Sequence, residues 1–88
     1  MKIQDFIVGF TDGDVLLADG FDDAFIGLGR RCGEDIVAVY DRNKAIQILS
    51  ASMSMDEAID YFEFNVEGSW VGPQTPIFVE MINDYKLE

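Results

Sequence analysis

A chain of 88 residues with no histidine and a single cysteine can be held together neither by an internal disulfide nor by a Cys/His zinc site. Its stability must come from burying apolar side chains, and so short a chain buries a smaller share of its surface than a larger domain does. The same two counts exclude every imidazole-based catalytic triad. With 49% hydrophobic and 12% aromatic residues there is enough apolar surface for a core. The chain therefore reads as one α+β domain over 1–86, with Leu87-Glu88 as a vector-derived scar. No run approaches the roughly 18 apolar residues of a spanning helix, and the opening Met-Lys-Ile-Gln-Asp is no signal peptide, so a reducing cytoplasm is the expected location.

Charge is distributed unevenly. There are 17 Asp and Glu against 6 Lys and Arg, for a formal net charge of -11. Residues 3–29 carry Asp5, Asp12, Asp14, Asp19, Asp22 and Asp23 and no base, and residues 45–85 carry Asp56, Glu57, Asp60, Glu63, Glu67, Glu80 and Asp84, again without a base. Arg30, Arg31, Arg42 and Lys44 occupy a near-neutral middle with Glu34, Asp35 and Asp41. Such a surface repels phosphate, which argues against direct nucleic-acid binding and against an anionic membrane face, and favours a partner with a basic surface. The bland alternative is that the carboxylates only keep a small apolar protein in solution.

Local patterns give a coarse architecture. Phe6, Ile7, Val8 and Phe10 form an apolar run, Asp12-Gly13 has the chemistry of a tight hairpin turn, and Val15, Leu16, Leu17 and Ala18 follow. Phe21, Ala24, Phe25 and Leu28 fall at i, i+3, i+4 and i+7, which predicts a short helix capped by Asp19, with Asp22 and Asp23 in its first turn and Gly29 as its stop. The β-branched run over 35–40 predicts a buried strand. Asp41 is placed to cap a helix over 42–51, and Ser54 with Glu57 three residues later forms a capping box for a second helix over 55–66. Together these make an αα-hairpin packed on a short, mostly antiparallel sheet. On the second helix Met55, Ile59, Phe62 and Val66 define one face, and Asp56, Asp60, Glu63 and Glu67 a neighbouring acidic stripe. After the Gly- and Pro-rich segment from Gly68, Ile77-Phe78-Val79 predicts an edge strand.

Candidate sites are few. Gly27-Leu-Gly-Arg-Arg-Cys-Gly33 lacks the glycine spacing of a dinucleotide loop. Asp12, Asp14 and Asp23 stand at calcium-loop positions one, three and twelve, but Leu16 and Leu17 occupy positions that need an oxygen ligand and a glycine. No metal or cofactor is expected. Cys32 follows two arginines but has no histidine or orienting base, so it reads as an inert thiol. Trp70, the only tryptophan, lies in a Gly-flanked loop after the acidic helix, where aromatic anchors often carry binding energy; folding back onto the core is the competing role. Asp19, Asp22, Asp23 and Arg30 form an alternative set for a small ligand or hard cation, although capping alone would account for the three aspartates.

The segments Asp19-Gly-Phe-Asp-Asp-Ala, Gly27-Leu-Gly-Arg-Arg and Tyr40-Asp-Arg-Asn-Lys, with the Tyr-Phe-Glu-Phe-Asn-Val and Gly-Ser-Trp-Val-Gly-Pro-Gln-Thr-Pro run over 61–76, resemble a family of small proteins carried by tailed phages, marine ones included, and by some bacteria. The resemblance covers about 7–79. Relatives often have cysteine where this chain has Ala45 and an acidic residue where it has Pro73, which counts against a site built on either position. It implies a phage accessory protein and no mechanism. The resulting expectation is a non-enzymatic protein that binds, and inhibits, a host, defence or phage protein through Asp56, Asp60, Glu63, Glu67 and Trp70. A nucleic-acid mimic is the first alternative, the small-ligand set above the second, and a second copy of the chain is admitted as a partner.

Overall fold

In the computed structural model, which describes residues 2–11 and 14–85, the capping signals do what their chemistry requires. The Asp41 carboxylate accepts from the Lys44 N–H at 3.1 Å and starts helix α2, Arg42–Leu49. Helix α3, Met55–Tyr61, starts at Ser54, whose hydroxyl accepts from the Glu57 N–H at 3.2 Å and donates to the Glu57 carboxylate at 3.1 Å. The chain continues without a break into a π-helical segment, Phe62–Glu67. A side-chain carbon on Gly68 would lie 2.6 Å from the Glu63 carbonyl oxygen, so the wide turn closes only over a glycine.

Three strands form one mixed sheet in the order β1-β2-β3. Strand β2, Val37–Asp41, is central; β1, Phe25–Gly29, pairs with it antiparallel, and β3, Ile77–Val79, runs parallel along its other side as an edge. Ala38 and Tyr40 point from β2 into the core and are completely buried, together with Ala45 of α2 and Ala58 and Phe62 of the second helix. Alanines at both helical positions permit close approach of α2 and α3. The rest of the core is aromatic. The ring of Phe78 stacks on Tyr40 at 5.4 Å and meets Phe62 edge-on at 4.9 Å, while Phe21 meets both Phe62 and Phe78 edge-on. The helices cover only one face of the sheet. Accordingly the radius of gyration, 13.9 Å, exceeds the roughly 12 Å of a compact chain of this length.

Three local expectations are corrected. Residues 21–28 are not a helix: Asp22–Ala24 make one 3-10 turn, no side chain caps it, and the chain then enters β1. The apolar spacing is met because Phe21 and Ala24 reach the core from the turn and Phe25 packs edge-on against Tyr40 from the strand. Glycine explains the strand, since Gly27 takes φ +155 at a bulge and a side chain on Gly29 would come within 3.0 Å of Val39. The apolar run before Thr11 is not an arm of a hairpin but a short helix, α1, Ile3–Val8. Phe6 packs against Phe10 at 4.8 Å, a helical i+4 pair, and edge-on against Phe25. The Asp12-Gly13 turn itself lies outside the described residues, as does Leu87-Glu88. Finally, Met55 is 48% exposed: the buried face of α3 is centred on Ala58 and Phe62, with Ile59 and Val66 at its margin.

Candidate functional site

The acidic stripe divides into two pairs with different work. Glu63 and Glu67 turn toward the first residue of α2, where the Arg42 guanidinium holds Glu67 at 2.9 Å, Glu63 at 3.1 Å and Glu80, beyond β3, at 3.3 Å. The same guanidinium lies 5.5 Å from the centre of the Phe62 ring. A cation at a helix N-terminus is opposed by the helix dipole, and three carboxylates reverse that disadvantage. Burial lowers the Arg42 pKa, but the Glu67 hydrogen bond and the charges of Glu67, Glu80 and Glu63 raise it further, and the net displacement is upward. The clasp extends to the chain's end: Asn43 donates to Asp84 at 3.1 Å, and the Tyr85 hydroxyl donates to Glu80. The hydrogen bond to Glu80 is the main reason the Tyr85 pKa is raised.

Asp56 and Asp60 are exposed and make no ion pair among the described residues. Phe64, four residues after Asp60, is 80% exposed and continues their line, with Tyr61 alongside at 46%. Trp70 is 75% exposed, which answers the question of its orientation in favour of the surface. Its loop is held by Thr75, whose hydroxyl accepts from the Val71 N–H at 2.9 Å and donates to the Gly72 carbonyl at 2.6 Å, with Gly72 at φ +106. The Gly-x-x-Thr spacing in the sequence therefore builds a stiff platform for Trp70 and Val71.

Trp70 lines a cleft of about 620 Å³ against the far side of the sheet, together with Arg30, Arg31, Glu34 and Asp35. A second cleft, about 280 Å³ and largely apolar, lies between the segment Leu16 to Asp19 and the residues Val66, Val71 and Phe78. That segment is anchored at both ends: the Gln74 amide donates to the Asp14 carbonyl at 3.2 Å, and the Ala18 N–H donates to the Tyr40 hydroxyl at 2.8 Å.

The alternative set Asp19, Asp22, Asp23 and Arg30 is not gathered. Asp19 lines the apolar cleft, Asp22 lines a depression beside Phe6 and Phe25, and Arg30 is carried away from the turn Asp22–Ala24 by the five residues of β1, about 16 Å. Among the described residues no three His, Cys, Asp or Glu side chains stand close enough to hold a metal ion. Cys32 is exposed at the tip of the β1–β2 connection, where the Glu34 N–H donates to the Arg31 carbonyl at 2.9 Å and Gly33 takes φ +78. No helix among the described residues is long and apolar enough to cross a membrane.

Two features of this surface are not among the sequence expectations. Phe64 could have been found, because it falls off the face defined by Ile59, Phe62 and Val66 and so has no core to enter. The pairing of Arg42 with acids 21, 25 and 38 residues away has no local signal. Comparison with protein-family models, with curated proteins and with solved structures finds no match for this chain.

Proposed function

We propose that this is a phage-encoded accessory protein that acts in the bacterial cytoplasm by binding another protein and inhibiting it, without catalysis. The observation that carries the reading is the alignment along one helix of two unpaired carboxylates, Asp56 and Asp60, with Phe64, which the core leaves 80% exposed; Trp70, 75% exposed, stands in the loop that follows that helix. Aromatic side chains are enriched in the core of protein-binding patches, and charged groups such as these carboxylates belong to the polar rim around it. The phage context rests on the resemblance of the Tyr61–Pro76 motifs. The internal pairing of Glu63 and Glu67 leaves only half of the stripe free and weighs against the phosphate-mimic reading.

The experiment is affinity purification from a bacterial lysate with the protein as bait, in parallel with Asp56→Lys/Asp60→Lys and Phe64→Ala/Trp70→Ala variants. A single stoichiometric protein retained by the parent and lost by both variants is the expected result. A partner retained equally by all three proteins, or recovery of nucleic acid instead of protein, overturns the proposal.

A further inference from the structure

The sheet has a second face, and the helices do not cover it. Val39 of β2 and Ile77 of β3 are register partners there, and Ile77 is 48% exposed. This face forms the floor of the 620 Å³ cleft, with Val37 and Ile77 beneath and the Trp70 indole at one side. At the other side stand Arg30 and Arg31. Of the chain's three arginines, Arg42 is saturated by three glutamates, whereas Arg30 and Arg31 make no ion pair among the described residues, even with Glu34 and Asp35 across the same turn. Two adjacent unpaired guanidinium groups are thus placed beside an apolar floor and an exposed indole in a chain whose net charge is -11.

We infer that this cleft binds a short acidic segment of a polypeptide partner, with a carboxylate on Arg30 or Arg31 and a neighbouring large apolar side chain between Trp70 and the sheet. Guanidinium groups recognise carboxylates in a planar fork, and the apolar floor recovers area that the anion alone would leave wet. Glu34 and Asp35 on the same rim select against a continuous polyanion: a nucleic-acid backbone following the cleft would carry phosphates past both carboxylates, whereas a peptide can place a neutral or basic residue there. The volume is within the range that encloses a few side chains. The inference rests on the protein-binding reading only for the occupant being a polypeptide. It adds that the partner offers acid to this cleft as well as base to the Asp56 and Asp60 face, so that the two charged contacts fix its orientation about Trp70.

The test needs no knowledge of the partner, because Trp70 is the only tryptophan and its emission reports the cleft directly. The whole protein is titrated to millimolar concentration with a capped Gly-Glu-Phe-Glu-Gly peptide, with the same peptide carrying Gln or Lys in place of Glu, and with an oligothymidylate. A saturable blue shift with the Glu peptide is expected, at least tenfold weaker with the Gln peptide, and absent with the Lys peptide and the oligonucleotide. Arg30→Gln/Arg31→Gln, with an unchanged circular dichroism spectrum, is expected to weaken Glu-peptide binding at least tenfold. No response to the Glu peptide, equal response to the Lys peptide, tighter binding of the oligonucleotide, or an unaffected double variant overturns the assignment. Failure here leaves the lysate experiment standing, and loss of partner through Asp56 and Asp60 does not depend on this cleft.

Discussion

Phe62 is the residue on which the packing converges. It is completely buried, meets Phe21 and Phe78 edge-on and carries the Arg42 guanidinium over its face. Phe62→Ala is expected to cost about 3–5 kcal/mol, a large share of what a small domain possesses, and thermal or urea unfolding reads it directly. An unchanged midpoint would refute the packing described. Tyr40 is buried equally, and its hydroxyl accepts from the Ala18 N–H. Burial raises its pKa, the Ala18 hydrogen bond opposes this, and the Asp22 charge adds to it, leaving the folded value above 10.0. The fold therefore keeps the neutral phenol. That contribution to stability is fully present below the unfolded tyrosine pKa, about 10, and is lost as pH rises through the higher folded value. Stability should accordingly fall above about pH 10, and Tyr40→Phe should reduce the slope there while costing roughly 1 kcal/mol at neutral pH for the Ala18 N–H left without its acceptor. Equal slopes for both proteins in alkaline denaturation would show that Tyr40 is not the responsible group. Tyr85→Phe serves as the comparison, because Tyr85 is exposed and its raised pKa comes first from Glu80.

At the level of elements, the clasp of Arg42 ties the start of α2 to the π-helical segment and to the residue after β3. Its carboxylates are 39–49% exposed, so each pair is worth a fraction of what a dry ion pair would be. Arg42→Gln is expected to destabilise by about 1–2 kcal/mol, to make stability less sensitive to salt, and to increase amide exchange over Phe62–Glu67 and Ile82–Asp84 first. Loss of stability without that localised exchange would mean the clasp does not hold those two segments. The elements differ in how much of them could be read from the sequence, and the differences have physical causes. Ser54-Met55-Asp56-Glu57 and Asp41 announce their helices because a cap is a contact between residues three apart. The run over 35–40 announces β2 because from Ile36 to Tyr40 it is continuously apolar: Ala38 and Tyr40 enter the core, and Val37 and Val39 lie on the other face of the strand. Residues 21–29 carry a helical signal that the strand overrides: Phe21, Ala24, Phe25 and Leu28 satisfy helical spacing, while Gly27 and Gly29, the residues that favour a bulged strand, are equally compatible with a helix stop. The π turn was invisible, since the requirement for Gly68 arises only once residue 68 lies against the Glu63 carbonyl. Of the candidate site, Asp56 and Asp60 are legible as exposed groups, while for Trp70 the sequence allows the surface and the core equally; its juxtaposition with Arg30 and Arg31 is not legible, because it depends on β2 bringing the end of β1 and the loop before β3 to one end of the sheet.

For the whole molecule, the division of the acidic stripe separates association from stability. In a chain with a net charge of -11, long-range attraction toward a basic partner is set by the total field, while the final contact is set by side chains free to be desolvated. Asp56 and Asp60 are free, and Glu63 and Glu67 are already held in ion pairs by Arg42. Asp56→Lys/Asp60→Lys should thus slow association with the partner by about tenfold at low ionic strength and flatten its salt dependence, with little change in unfolding. Glu63→Gln/Glu67→Gln should do the reverse, lowering stability while leaving the association rate within about threefold, because the two neutral substitutions move the net charge only from -11 to about -9, against about -7 for the two aspartate reversals. Phe64→Ala and Trp70→Ala act on a third quantity, since a packed aromatic is lost mainly from the dissociation rate, by about tenfold or more for an anchor of about 1.4 kcal/mol or greater. Surface-immobilised kinetics across two salt concentrations, with unfolding measured on the same variants, distinguishes the three. If the Glu63 and Glu67 variant slowed association as much as the Asp56 and Asp60 variant, the clasp would have to open on binding, and the partner would be competing with Arg42 for its glutamates.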